Sequence, residues 1–114
     1  MVNIIFSTSN RIDLFKDTIN SLIEHNPGIN KLIKNAYILD DRSSLSSRYI
    51  MEMLLQKHFP NKGRLITFND SSHQFAYVEK LNFIQNITSG TKYTLFIEED
   101  WRSLAPLDLT SHIQ

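Results

Sequence analysis

Residues 93–101, YTLFIEEDW, join an apolar run to three consecutive carboxylates. A short run of aromatic and β-branched residues predicts a buried strand, of the kind found in parallel sheets that are covered on both faces. The carboxylates follow at its C-terminal end, where alternation turns Glu98 and Asp100 to one side and Glu99 to the other. This acid-x-acid spacing can place two hard oxygen ligands on one cation. The same acids also suit the N-terminus of a following helix, so the spacing alone leaves both interpretations open.

Outward from this stretch, strand-like runs alternate with helix-like patterns along the chain. The predicted strands are residues 3–6, 36–39, 65–68 and 93–97. Strict alternation of strand and helix predicts an α/β fold with a mostly parallel sheet, right-handed crossovers and helices on its faces.

Three helices are predicted between these strands. The first lies between Asn10, a candidate N-cap, and the stop signal Pro27-Gly28, with an apolar face of Ile12, Phe15, Ile19, Leu22 and Ile23. The second follows Ser43 and Ser44, which can cap it, and its predicted inner face is Tyr49, Ile50, Met53 and Leu54. The third is predicted from Tyr77, Leu81, Ile84 and either Ile87 or Thr88.

Polar residues follow three of the four predicted strands. They are residues 8–11 after the first strand, Asp40 and Asp41 after the second, and residues 98–100 after the fourth. Ligands of open α/β sheets bind beyond the carboxyl ends of the strands, so we expect one ligand site built from all three clusters. Turns and helix caps favour the same residue types, which is the competing structural explanation.

Composition narrows the class of protein. The chain has 114 residues, enough for a single domain, with 12 basic and 12 acidic residues scattered along it. The basic residues do not form a stripe, so the charge pattern does not indicate nucleic acid as a partner. The chain has no cysteine, so a metal site would use oxygen or histidine ligands, and no apolar run is long enough for a signal or membrane segment. We expect a soluble, cytoplasmic protein without a membrane segment.

Four segments together resemble one enzyme family. Residues 3–22 read NIIFSTSNRIDLFKDTINSL, residues 36–44 AYILDDRSS, residues 80–84 KLNFI, and residues 93–101 YTLFIEEDW. In this order they are similar to the opening strand and T-x-N-R turn, the D-D-x-S segment, the A-R-N-x-G segment and the D-x-D strand of the GT-A fold glycosyltransferases, particularly family 2. The resemblance implies a Rossmann-like three-layer sandwich that binds a nucleotide sugar.

The resemblance also implies roles for individual residues. Asp100 and Glu98 would hold Mn²⁺ or Mg²⁺ on the donor diphosphate, and Asp41, with Asp40 as second choice, would accept hydrogen bonds from the base or ribose. The implied nucleotide-sugar-binding set is Thr8, Asn10, Arg11, Asp40, Asp41, Lys80 and Glu99. Lys80 and His73 are weaker candidates for phosphate contacts, and Trp101 suits packing.

The implied reaction is transfer of a sugar from a nucleoside diphosphate to an acceptor hydroxyl, with inversion. Glu98 departs from the family pattern, because it stands where the first Asp of the D-x-D is usual. In the family, the acceptor site and general base lie well after this motif, whereas here Gln114 follows shortly afterwards. We therefore expect residues 1–114 to be one donor-binding domain, incomplete at its C-terminus, or a short relative.

Three alternatives compete with a complete glycosyltransferase. A non-catalytic module would bind the nucleotide or nucleotide sugar without a base or an acceptor cleft. A nucleotidyltransferase would share the architecture, but no glycine-rich basic phosphate loop is present. A receiver-type regulatory domain needs an acid pair after its first strand, where this chain has Ser7, Thr8 and Ser9.

Overall fold

A computed structural model describes residues 2–68, 80–84 and 93–98 of the chain. The four strands are β1 (Val2–Thr8), β2 (Ile33–Asp40), β3 (Gly63–Thr67) and β4 (Tyr93–Glu98). Two helices, α1 (Ile12–His25) and α2 (Leu45–His58), follow the first two strands. A 3-10 helix, Ile29–Leu32, precedes β2, and residues 80–84 are helical.

The strands form one sheet in the order β3-β2-β1-β4, and every described pair of neighbours is parallel. The predicted α/β class, with four strands and a parallel sheet, is therefore confirmed. The architecture is consistent with a Rossmann-like sandwich. The strand order also reverses at β1, because β2 and β3 lie on one side of it and β4 lies on the other.

Both faces of the sheet carry helical residues. On one face the ring of Phe6 packs edge-on against Phe15 of α1, with centroids 5.6 Å apart, and lies 6.4 Å from Phe59 after α2. The other face buries Ile5 and Leu39 beneath residues 83–84. Alternate residues of β1 therefore serve two separate apolar clusters, which accounts for the continuous apolar run in that strand.

Helix α1 has the apolar face that its spacing predicts. Phe15, Ile19 and Leu22 are fully buried, and the helix ends before Pro27. The predicted N-cap is wrong: Arg11 is the residue that precedes the helix, and no side chain caps it. Asn10 instead adopts a left-handed backbone conformation, with φ of 57°, which asparagine tolerates better than most residues.

Helix α2 begins as predicted, but its buried face is different. The Ser44 side chain accepts a hydrogen bond from the backbone N–H of Ser47 at 3.2 Å, which confirms the predicted cap. Met51 and Leu55 are fully buried, whereas Tyr49 is 68% exposed and Met53 is 55% exposed. The predicted inner face was therefore wrong for these two residues. The apolar residues of α2 are distributed around the helix, so their spacing in the sequence does not identify one buried face.

The strand ends differ slightly from the predicted ones, and β4 differs in burial. Gly63 begins β3, whereas the prediction placed it before the strand. In β4, Ile97 is buried, but Phe96 on the opposite face is 44% exposed. The expectation that β4 is covered on both faces is thus wrong at Phe96. Among the described strands β4 lies at the end of the sheet.

The third predicted helix is described in part. Residues 80–84 are helical, and Phe83 and Ile84 pack against the second apolar cluster. The predicted positions Tyr77, Ile87 and Thr88 lie outside the described residues. Across residues 2–68, 80–84 and 93–98, no helix is long and apolar enough to cross a membrane.

The start of β3 provides a test of this packing. A Cβ atom at Gly63 would lie 2.6 Å from Leu55 Cγ, a buried atom of α2. We expect Gly63→Ala to lower the free energy of unfolding by about 1–3 kcal/mol, because Leu55 must leave its position. Gly28→Ala is the matched control, since nothing lies within 4 Å of the added carbon and the change should be close to neutral. Equal urea-denaturation curves for the two variants would contradict the Leu55 contact.

His58 at the end of α2 makes a second prediction. Burial lowers the pKa of His58 below its ordinary value of 6.5, and the charge of Lys57 lowers it further. Below about pH 6.5 the unfolded chain therefore binds this proton more readily than the folded protein. The stability that the protein owes to neutral His58 is fully present above that pH. It is lost as the pH falls through the pKa of His58 in the folded protein.

We expect His58→Gln to lose less stability than the wild type between pH 7.5 and pH 5. The measurement is the free energy of unfolding in urea at both pH values. Other groups titrate equally in both proteins, so the difference between the two losses reports His58. Parallel losses would show that folding leaves the protonation of His58 unchanged.

Candidate functional site

The carboxyl ends of β1, β2 and β4 meet at one edge of the sheet. Thr8 is in register with Asp40 on β2, and Ser7 is in register with Glu98 on β4. This pairing brings together residues that are separated by many positions in the chain. The edge between β1 and β4 is also where the strand order reverses, the position at which open α/β sheets usually bind ligands.

A cavity of about 390 Å³ lies at this edge. Its volume falls within the range of small-molecule sites, roughly 300–1,000 Å³. Its polar wall includes two basic and two acidic side chains, and its apolar wall comes from β4 and the helical residues 80–84. The described lining residues are Ser7, Thr8, Ser9, Arg11, Asp41, Lys80, Leu81, Ile84, Phe96 and Glu98.

Asp40 is fully buried and is not among these lining residues. Its Oδ1 accepts hydrogen bonds from the hydroxyls of Thr8, at 2.7 Å, and of Ser43, and its Oδ2 accepts one from the Ser43 backbone N–H at 3.1 Å. A buried carboxyl group is tolerated when donors surround it in this way. Asp40 therefore holds the ends of β1 and β2 together.

Asp41, the residue after Asp40, does line the cavity. Its backbone N–H donates to the Thr8 carbonyl at 2.9 Å, which extends the β1–β2 pairing by one residue. Its Oδ1 lies 3.6 Å from Nε of Arg42, whose side chain is 45% exposed. Of the two consecutive acids at the end of β2, Asp41 is the one that lines the cavity, with a side chain that is 4% exposed.

Lys80 brings positive charge to the end of β1. Its side chain is 9% exposed, and its Nζ donates to Ser7 Oγ at 3.2 Å and to the Thr8 carbonyl at 3.1 Å. These bonds join the helical residues 80–84 to the central strand. Together with Arg11, Lys80 forms the basic part of the cavity wall.

Glu98 completes the polar wall from β4. It is exposed and lines the cavity next to Phe96, which lies two residues earlier on the same face of the strand. Its carboxylate is a hard oxygen donor of the type that Mg²⁺ and Mn²⁺ prefer. Within the described ranges, no group of three or more His, Asp or Glu side chains converges as a metal site.

Several predicted positions are placed elsewhere or are not described. Asn10 is absent from the described cavity lining, and its backbone N–H donates to Ser43 Oγ at 3.0 Å. Glu99 and Asp100, the remaining acids of the predicted metal and donor sites, lie outside the described residues. His73 and Trp101 lie outside them as well.

The prediction did not include the apolar wall of the cavity. The apolar run of β4 predicts a covered strand face for Phe96, and the helical spacing predicts an inner helix face for Leu81 and Ile84. Strand alternation places Phe96 on the same face as Glu98, so that signal was available in the sequence. Leu81 could not be found in this way, because its 45% exposure depends on how the helix sits on the sheet.

The described residues belong to a small α/β protein with a four-stranded, all-parallel sheet and a polar cavity at the carboxyl edge of that sheet. No protein-family model matches the chain, and neither the curated proteins nor the solved structures showed a significant match.

The different environments of Asp40 and Asp41 predict different effects on stability. Asp40→Ala leaves three donors without their acceptor, and we expect it to lower the free energy of unfolding by about 2–5 kcal/mol. Asp41→Ala removes a side chain that is 4% exposed, but the Arg42 side chain it pairs with is 45% exposed and stays solvated, so we expect a smaller loss of about 1–2 kcal/mol. Chemical denaturation of both variants measures the difference. A larger loss for Asp41→Ala would reverse the two assignments.

Proposed function

We propose that the cavity binds a nucleoside diphosphate sugar and that the chain is a GT-A type glycosyltransferase or its donor-binding portion. The observation that carries this proposal is the meeting of Asp41, Lys80 and Glu98 around one cavity at the point where the strand order reverses. Each of these residues comes from a segment that resembles the family. Their meeting in space adds support that is independent of the likeness in sequence.

The cavity offers complementary chemistry to the two halves of a nucleotide. A carboxylate such as Asp41 accepts hydrogen bonds from ribose hydroxyls or from a base N–H. Lys80 and Arg11 supply positive charge for a diphosphate, and Phe96, Leu81 and Ile84 supply an apolar surface. Polar recognition and charge neutralisation are therefore available within one cavity.

A divalent cation would use the carboxylate of Glu98, which lines the cavity from β4. The D-x-D spacing of the sequence makes Asp100, which lies outside the described residues, its partner ligand in this proposal. When bound, such an ion stabilises negative charge on a departing nucleoside diphosphate. The chain's own residues would meanwhile hold the nucleotide, with Asp41 on the nucleoside and Lys80 near the phosphates.

A non-catalytic nucleotide-sugar-binding module is the second candidate. Among the described residues, the carboxylates on the cavity wall are Asp41 and Glu98, and the donor complex employs both. In this proposal both carboxylates serve donor binding. Neither of them is then available to deprotonate an acceptor hydroxyl.

Calorimetric titration tests the donor site. UDP, GDP and their common sugar conjugates are titrated into the protein with MnCl₂ and then with EDTA. We expect one nucleotide series to bind, with lower affinity in EDTA. Asp41→Asn should weaken that binding about 10- to 100-fold, because it removes a charge-assisted hydrogen bond worth about 1.5–3 kcal/mol. Asp100→Ala should abolish the manganese dependence.

Glu24→Gln is the matched control for the loss of one negative charge. Glu24 is exposed near the C-terminus of α1, at the end of that helix farther from the cavity. Its affinity should equal that of the wild type. If no UDP or GDP compound binds the wild-type protein, the proposed donor site is wrong. If Asp41→Asn binds as tightly as Glu24→Gln, the assignment of Asp41 is wrong.

A further inference from the structure

The turn after β2 contains a backbone conformation that is unfavourable for its residue. Arg42 has a φ of 66°, in the left-handed region. For a residue other than glycine, asparagine or aspartate this conformation costs roughly 1–2 kcal/mol. It stands between Asp41, which lines the cavity, and Ser43, and both of these neighbours are buried. Such a conformation persists only when surrounding contacts stabilise it, so the contacts of the neighbouring residues indicate the role of this turn.

Ser43 makes the contacts that hold this turn. Its backbone N–H and its hydroxyl both donate to the carboxyl group of Asp40. Ser43 is buried, with 4% of its surface exposed. The chain therefore returns to Asp40 immediately after Arg42. This return allows two consecutive acids to differ, with Asp40 inside the protein and Asp41 at the cavity.

The Ser43 hydroxyl also reaches the other loop of the site. It accepts a hydrogen bond from the backbone N–H of Asn10 at 3.0 Å. Asn10 lies between Ser9 and Arg11, which both line the cavity, and its own φ of 57° is also left-handed. One buried hydroxyl thus joins the loop after β1 to the loop after β2, and both loops contribute to the cavity wall.

We propose that Ser43 is a positioning residue of the cavity. Its hydroxyl fixes the separation between the β1 loop, with Ser9 and Arg11, and Asp41 on the β2 loop. The cavity is then formed before a ligand arrives, so binding does not have to order the two loops. This inference rests on the proposed function for the identity of the ligand, and on the geometry alone for the coupling of the loops.

Ser43→Ala and Ser44→Ala form a matched pair for the test. Both remove one hydroxyl from adjacent residues and both destabilise the protein, but Ser44 caps α2 and does not bond to the β1 loop. The probes are UDP and GDP with MnCl₂, titrated calorimetrically at a temperature where circular dichroism shows each variant fully folded. We expect Ser43→Ala to weaken binding about tenfold and Ser44→Ala to change it less than about twofold. Ser43→Thr, which keeps a hydroxyl, should recover most of the loss.

A second readout needs no ligand. Hydrogen exchange of the Asn10 amide, followed by NMR, should be faster in Ser43→Ala than in Ser44→Ala, since its acceptor is removed. Unchanged exchange at Asn10 would overturn the coupling of the loops. Faster exchange with wild-type nucleotide affinity would overturn the positioning role. If the wild type binds neither nucleotide, the proposed function fails, and the Asn10 amide still decides whether Ser43 couples the loops.

Discussion

The carboxyl group of Asp40 is the constraint on which the site depends. It lies at the end of β2 with no solvent exposure, so its oxygens must find donors inside the protein. The donors come from Thr8 on β1 and from Ser43 in the loop after β2. Satisfying one buried acid therefore holds two neighbouring strand ends and the following turn in one arrangement. The cavity is built on that arrangement, because Asp41 and Arg11 extend from the segments it holds.

The end of β1 shows how one strand serves both structure and site. Thr8 turns toward Asp40 and lies 3.7 Å from Sδ of Met51, on the face that carries α1 and α2. Ser7 turns to the other face, where its hydroxyl accepts a hydrogen bond from Lys80. Strand alternation thus sends adjacent hydroxyl side chains to opposite layers. The Thr8 carbonyl receives the N–H of Asp41 and the ammonium of Lys80, so three segments of the cavity wall meet at one residue.

Much of this architecture could be predicted from local patterns, and the exceptions have physical causes. Runs of apolar residues identified all four strands, and the spacing of Phe15, Ile19 and Leu22 identified the buried face of α1. The same method failed for α2, where Tyr49 and Met53 are exposed, because apolar residues surround that helix and packing selects the buried face. It failed again at Asn10, where a left-handed turn bonded to Ser43 replaced the expected helix cap. At the site, a parallel sheet predicted that the carboxyl ends of the strands meet at one edge, whereas local patterns did not distinguish Asp40 from Asp41, and the preference for Asp41 rested on the family resemblance alone.

Local sequence patterns were sufficient to predict the element types, their alternation and the placement of polar residues after the strands. These features follow from side-chain periodicity and turn chemistry, which act over a few residues. Tertiary structure alone decided that β4 pairs with β1, that Asp40 faces inward and Asp41 faces the cavity, and that Lys80 reaches the end of β1. The contacts responsible join residues that are far apart in the chain, 32 positions for Thr8 and Asp40 and 72 for Thr8 and Lys80. No local pattern encodes such a contact, because a buried donor or acceptor selects its partner from whatever the folded chain brings within reach.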